Sequence, residues 1–146
     1  MVTDNELKDF LHRVDRLVEP ALLFAPKIDP ERISSAVEAT FSGRPVFSLR
    51  ANGPIAPSEA DVSETVRNSF DGRGVLVVLV NSQAPIPVAQ AMSRLCTDGV
   101  FTEHRDGTWT HTKPPEDWRL VVVAEVESPD DLPGGLGDCF PAVMAL

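Results

Sequence analysis

The hydrophobic positions of this chain follow two patterns that alternate along its length. Some segments place an apolar residue every three or four positions, as one face of an amphipathic helix does, and others are short unbroken apolar runs. The clearest run begins at Val75 and ends at Leu79, directly after a Gly-rich turn that starts at Gly72. Such a run is typical of a central strand that is buried on both faces of a parallel sheet. We therefore expect the fold to be organised around this strand.

Helical periodicity predicts four amphipathic helices. They cover residues 4–19, 30–41, 58–70 and 85–97. Thr3 or Asp4 can cap the first helix, and Pro20 would end it. Asn81 or Ser82 would cap the fourth. We expect the apolar face of this fourth helix to be formed by Ile86, Val88, Met92 and Leu95.

Short apolar runs predict further strands between the helices. They are residues 21–25, 46–49, 120–123 and 143–146, the last of them an edge strand. Residues 100–113 are predicted to form a β-hairpin, because Asp106-Gly107 is a strong two-residue turn signal. Residues 129–137 are polar and rich in Gly and Pro, which favours a loop. Strands that alternate with helices in this way predict an α/β fold with a mostly parallel, five-stranded sheet.

Length and cysteine content indicate an ordinary intracellular domain. The chain has 146 residues, enough for one domain with a full core, and we expect residues 1–146 to form a single domain. Cys96 and Cys139 are not spaced as metal ligands are, so we expect two free thiols, with Cys96 buried and inert. The N-terminus does not resemble a signal peptide, and no apolar run is long enough to span a membrane. These features predict a cytoplasmic protein without membrane contact.

The charge balance restricts the class of partner. The net charge is −9 at pH 7, and no run of Lys or Arg interrupts it. Nucleic-acid binding requires clustered cations that displace counterions from phosphate, so we expect no nucleic-acid partner. An acidic surface would instead attract basic partners. One group of acidic side chains, on the third helix, is interpreted as a solvated helix face: Glu59, Asp61 and Glu64.

The hairpin and the segment that follows it contain two pairs of residues with more than one interpretation. His104 and His111 lie on opposite arms, but two His make an incomplete metal site, and exposed polar residues are the favoured interpretation. Trp109 could face a partner. The favoured alternative is that Trp109 and Trp118 both pack the hairpin against the body of the domain.

Ordered segments along the chain carry a further signal. A strand that ends at Phe24 precedes an eight-residue loop, residues 25–32; Gly43-Arg44-Pro45-Val46 leads into the second strand; residues 114–120 lead into the fourth; and residues 134–140 follow. In this order, from about Leu17 to Phe140, these segments resemble the α/β core of an AAA+ ATPase. Among the branches of this family, the segments most resemble the MoxR-like and dynein- or midasin-related branch. The resemblance implies a P-loop type of three-layer core with a hairpin insertion.

The phosphate-loop positions that the resemblance implies are all changed. The family loop, Gly-Pro-Pro-Gly-Thr-Gly-Lys-Thr, turns backbone N–H groups around phosphate. Its glycines correspond to Ala25, Ile28 and Pro30, its lysine to Glu31, and its magnesium-binding hydroxyl to Arg32. Pro30 has no N–H to donate, and Glu31 would repel a phosphate.

The later positions of the family pattern are changed as well. The acidic pair after the third strand corresponds to Val80 and Asn81, the polar sensor after the fourth strand to Glu125, and the arginine before the final Phe to Cys139. The sequence ends at Leu146, so we expect no helical lid.

These departures imply a scaffold whose nucleotide site has been lost. We expect a non-catalytic pseudo-ATPase, without cofactor or metal, that binds a protein as a regulatory or assembly module. The partner would be a second copy of the chain, giving an oligomer, or a true AAA+ ATPase. The vestigial nucleotide-site positions are Lys27, Asp29, Glu31, Arg32, Asn81 and Glu125. The alternative is a diverged nucleotide-binding protein or weak NTPase. It would require Lys27, Arg32 and Glu125 to converge in a cleft above the first strand.

Overall fold

A five-stranded parallel sheet forms the centre of the molecule. The computed structural model describes residues 2–53 and 56–146, without the side chain of Arg105. The sheet strands are β1 (Ala21–Ala25), β2 (Val46–Ala51), β3 (Val75–Asn81), β6 (Arg119–Glu125) and β7 (Ala142–Ala145). Their order is β2-β3-β6-β1-β7, and every pairing is parallel. This confirms the α/β fold and the edge position of the last strand.

Four helices cover the two faces of the sheet, and a hairpin and two short turns complete the fold. The helices are α1 (Asp4–Leu17), α2 (Pro30–Thr40), α3 (Glu59–Ser69) and α4 (Ile86–Thr97). The hairpin consists of β4 (Phe101–Arg105) and β5 (Thr108–Thr112). The predicted loop at 129–137 contains two 3₁₀ segments, Pro129–Asp131 and Pro133–Asp138.

The strand β3 is buried on both faces, as its unbroken apolar sequence predicts. From Val75 to Val80, no residue is more than 9% exposed. Because side chains alternate across a strand, Val75, Val77 and Leu79 pack on the side of α1 and α2. Leu76 and its alternate neighbours pack against α3, α4 and the hairpin. β3 is an interior strand, but the middle position of the sheet belongs to β6.

Two predicted helix ends differ from the structure. The first helix ends at Leu17, before Pro20, because Val18 adopts a left-handed conformation (φ 55°). Thr3 caps the beginning of this helix, as one of the two predicted candidates. α4 follows Pro85 without any side-chain cap. Ile86 is 50% exposed rather than part of the buried face, because the helical repeat places it on the side of α4 away from Val88 and Met92.

The hairpin turns where the sequence predicts, at Asp106 (φ 49°) and Gly107 (φ 77°).

Of the two tryptophans, Trp118 is packed as the favoured interpretation has it and Trp109 is not. Trp118 is buried, donates its indole N–H to Ser69 Oγ at 2.9 Å and meets the Phe70 ring edge-on. The indole of Trp109 is 59% exposed, so the expectation that both rings are packed is wrong for this residue.

No helix within residues 2–53 and 56–146 combines the length and the apolar character that crossing a membrane requires.

Candidate functional site

The predicted site positions gather at the carboxyl edge of the sheet, where open α/β sheets bind their ligands. Residues 26–29 connect β1 to α2 along this edge. Asn81 ends β3 and Glu125 ends β6, and the strand register places these two residues beside each other. Ala25, the last residue of β1, is the partner of Glu125 on its other side.

The loop after β1 is closed by a carboxylate of the chain itself. The backbone N–H of Ile28 donates to Glu125 Oε2 at 3.1 Å. The Ile28 side chain is half-buried against the core beneath α1 and α2. In phosphate-binding loops, such N–H groups point at the anionic ligand. Here, this N–H points at an internal anion.

The beginning of α2 is capped in the same manner. Asp29 is the N-cap residue, and its Oδ1 accepts the Glu31 N–H at 3.1 Å. Pro30, the first helical residue, contributes no N–H. A carboxylate cap is favoured at a helix N-terminus because the helix dipole places partial positive charge there. Asp29 therefore supplies the negative charge that a bound phosphate would otherwise supply.

Arg32 is directed away from this loop. Its Nε lies 2.9 Å from Asp4 Oδ1, and its Nη2 donates to the carbonyl of Val2, so it ties α2 to the beginning of α1. Lys27 is exposed on the loop itself. Arg32 and Glu125 face separate cavities, of about 460 and 450 Å³. The cleft in which Lys27, Arg32 and Glu125 would converge is not formed.

Asn81 is used within the backbone framework. Its Nδ2 donates to the carbonyl of Asn52 at 3.0 Å, and its Oδ1 accepts the Gln83 N–H at 2.8 Å. The side chain thus joins the loops that follow β2 and β3. An amide in this position has no carboxylate charge with which to attract Mg²⁺.

Negative charge dominates the carboxyl edge. The cavity that Glu125 faces is also lined by Glu127 and Asp131, together with Pro26, Ser82 and Val126. No group of three or more His, Cys, Asp or Glu side chains is arranged to hold a metal ion in the part of the chain that the structure describes. The described lining of this cavity carries three carboxylates and no Lys or Arg side chain, so the cavity repels anions.

The two hairpin histidines do not share a site. The His104 ring is tilted against Trp109 with ring centroids 4.8 Å apart, whereas His111 Nδ1 lies 3.0 Å from Thr102 Oγ1, so the two imidazoles have different partners. Both cysteines are free thiols, as predicted, but Cys96 is partly rather than fully buried. Burial raises the pKa of the Cys96 thiol to about 12, and a smaller contribution comes from Cys139.

Two features that sequence reasoning missed depend on contacts between distant segments. At the amino edge, Asp15 Oδ1 binds both Arg44 Nη1 at 3.0 Å and Arg119 Nε at 2.8 Å. A groove of about 570 Å³ lies between α3, α4 and the hairpin, with Trp109 in its lining. The aromatic residue on the polar hairpin is the signal in the sequence that could have located this groove.

The sequence itself matches no family model and no curated protein. Solved structures nevertheless share its architecture. A point mutant of RuvB from Thermotoga maritima superposes with a TM-score of 0.64 and 12% identity, covering 100% of this chain and 46% of that chain. The T. maritima RuvB Holliday junction branch migration motor gives 0.60 and 13%, covering 97% and 43%. NtrX from Brucella abortus in complex with ATP gives 0.64 and 15%, covering 97% and 36%.

The fold is that of an AAA+ P-loop ATPase core. This confirms the fold that the ordered segments predict. The chain spans less than half the length of each of these AAA+ chains. At 12–15% identity the likeness establishes the fold alone.

Proposed function

We propose that this protein is a non-catalytic pseudo-ATPase that serves as a protein-binding module for regulation or assembly. The observation that carries the proposal is the hydrogen bond from the Ile28 N–H to Glu125 Oε2. It supports a site in which the chain's own carboxylate takes the position of a ligand anion. The lost nucleotide chemistry then leaves the scaffold and its surfaces as the functional part of the molecule.

Electrostatics supports the same proposal. A nucleotide phosphate placed on the loop after β1 would meet the carboxylates of Asp29 and Glu125. At about 4 Å, one pair of like charges costs on the order of 1 kcal/mol in water and 4 kcal/mol near a protein surface. In working phosphate sites, Lys, Arg and Mg²⁺ supply the opposite charge. Lys27 is the nearby cation, and Arg32 is already bound to Asp4.

The partner in this proposal is a protein, either a second copy of the chain or a true AAA+ ATPase. The solved relatives bear on this through their fold. One is described as a motor, and another was determined in complex with ATP. A chain with the same scaffold and no nucleotide chemistry could bind alongside such proteins without contributing turnover.

A diverged nucleotide-binding protein or weak NTPase is the competing function. It would have to use Lys27, because Arg32 contacts Asp4 and Val2 and Glu125 accepts a backbone N–H. No second cation in the described residues joins Lys27 at this loop, and the contacts of Arg32 therefore weigh against this alternative.

Release of inorganic phosphate from Mg·ATP tests the proposal. We expect the wild-type chain to release no more phosphate than a protein-free control. Lys27→Ala and the exposed hairpin variant Lys113→Ala should both give this same background. Saturable turnover that falls roughly tenfold in Lys27→Ala but not in Lys113→Ala would contradict the proposal and establish the NTPase alternative.

A further inference from the structure

The groove between α3, α4 and the hairpin has the form of a peptide-binding surface. Its volume is about 570 Å³. Its apolar lining includes Val62, Ala91 and Phe101, and Phe101, the first residue of β4, is 2% exposed. Sites that bind small ligands are concave and combine apolar side chains with placed polar groups. The groove is concave and combines both kinds of side chain, with polar and charged residues in the majority.

An exposed aromatic side chain, Trp109, lies at the groove and contacts a neighbouring ring. Trp109 is 59% exposed, and its ring is tilted against the His104 imidazole across the hairpin. Every residue of β5, from Thr108 to Thr112, faces solvent. A large aromatic side chain that the domain leaves in water but holds against a neighbour is typical of a binding hot spot.

Charge at the groove favours a cation over an anion. Glu59 and Glu64 line it, both are exposed, and neither has an ion-pair partner in the described residues. Arg67 is held by Glu103 at 3.4 Å and by the Ser63 carbonyl, so this cation is already compensated. The net charge of −9 adds a long-range preference for a basic ligand.

The two ends of the groove also differ in charge. α3 and α4 both return from the carboxyl edge to the amino edge of the sheet, because each connects parallel strands. Glu59, in the first turn of α3, therefore lies toward the carboxyl edge, Glu64 lies at the middle of this helix, and Arg94 lies toward the amino edge. A bound segment would place its basic residues beside Glu59 and Glu64 and would carry no cation near Arg94.

We propose that this groove docks a basic segment of a partner protein, with an apolar side chain on the Val62–Phe101 floor and an arginine or lysine beside Trp109 and Glu64. The cation would lie over the indole face and pair with the carboxylates. This inference rests on the proposed function, since it names the surface and the chemistry of the partner.

Fluorescence anisotropy with synthetic peptides tests the docking surface. The probe is a short labelled peptide in which arginine alternates with leucine, and its controls replace every arginine with glutamate or with serine. We expect the arginine peptide to bind, the glutamate and serine peptides not to bind, and the affinity to fall as salt is raised. Equal binding of all three peptides, or no binding of the arginine peptide, would overturn the proposal.

Variants of the chain test whether the arginine peptide binds in the groove. Trp109→Ala and the double variant Glu59→Gln/Glu64→Gln should each weaken the arginine peptide roughly tenfold or more. The charge-matched double variant Glu127→Gln/Asp131→Asn, which lies at the other cavity, should bind like the wild type. Equal weakening by both double variants would show that general charge attraction alone is responsible, which overturns the groove.

The two tryptophans supply a readout that does not depend on mutation. The chain contains two indole N–H groups, and Trp118 is buried. In NMR spectra, the arginine peptide should shift the Trp109 indole signal and leave that of Trp118 in place. If light scattering instead shows a dimer that Trp109→Ala abolishes, the groove binds a second copy and the basic-segment proposal is wrong. A failure of the peptide to bind would not alter the expected result of the ATP assay. ATP turnover together with intact peptide binding would refute only the proposed function.

Discussion

The carboxylate of Glu125 illustrates how one side chain can alter the chemistry of a loop. Its Oε2 accepts the Ile28 N–H, while the last residue of β1 lies directly beside it in the sheet. A neutral side chain at this position would leave that N–H available to a ligand anion. The position at the end of β6 therefore determines which charge the loop can accept.

Cys96 provides a test of burial at the residue scale. Because burial, and to a lesser extent Cys139, raises its pKa from 9.0 to about 12, the native thiol should hold almost no thiolate at pH 8. Thiolate is the reacting form, so we expect alkylation of native Cys96 to be about a thousandfold slower than in the unfolded chain. Mass spectrometry after timed iodoacetamide labelling measures both rates.

The sign of the shift also sets the pH dependence. Since the raised pKa lies above the unfolded value, the native rate should continue to increase as pH rises from 9 toward 12, whereas the unfolded rate levels off above pH 9. The Cys96→Ala variant identifies the labelled peptide. Native labelling as fast as unfolded labelling at pH 8 would show that the thiol is not buried.

Residue identity alone predicted the chemical character of the loop after β1 but not the contacts of its side chains. That Pro30 cannot donate an N–H follows from the sequence. That Arg32 turns toward Asp4, rather than toward the loop, depends on where α1 packs. Likewise, the bond between Glu125 and Ile28 joins residues 97 positions apart and requires the register of two strands.

At the scale of elements, Asp15 anchors the end of α1 to the sheet. Its Oδ1 contacts guanidinium groups of Arg44, before β2, and of Arg119, the first residue of β6. Arg119 is 8% exposed and also donates to the carbonyls of Glu116 and Trp118. One carboxylate thus compensates two largely buried cations.

Removing this carboxylate should destabilise the fold. Asp15→Asn leaves the Arg44 and Arg119 cations without a counter-charge, and breaking a buried pair costs about 3–5 kcal/mol. Because Asp15 itself is one-third exposed, we expect a smaller loss, of about 2 kcal/mol, in the free energy of unfolding measured by urea denaturation. The exposed Asp9→Asn on the same helix is the matched control and should change stability by less than about 0.5 kcal/mol. Equal effects of the two variants would contradict the anchoring role.

Element prediction succeeded where one periodicity dominated. The apolar run of β3 and the Asp106-Gly107 turn follow from local sequence. Element prediction was wrong where tertiary packing determines whether a side chain is buried. Ile86 is apolar, yet the helical repeat places it away from the buried side of α4, which Val88 and Met92 occupy. Trp109 lies on β5, where every residue is exposed.

At the scale of the whole molecule, the fold resembles that of nucleotide-binding ATPases, whereas the charge pattern argues against nucleotide binding. The fold matches that of AAA+ ATPase cores over nearly the full chain, with a TM-score of 0.64 to structures at 12–15% identity. A shared fold does not establish a shared function. In the proposed function, the net charge of −9 and the acidic cavity at the carboxyl edge would favour a basic protein partner over a nucleotide.

Isothermal titration of the wild-type chain with Mg·ATP and Mg·ADP tests the central claim most directly. If the carboxylates of Asp29 and Glu125 satisfy the loop and helix N–H groups, neither nucleotide should give saturable heat at millimolar concentration. A saturable isotherm with a micromolar dissociation constant for either nucleotide would contradict the account.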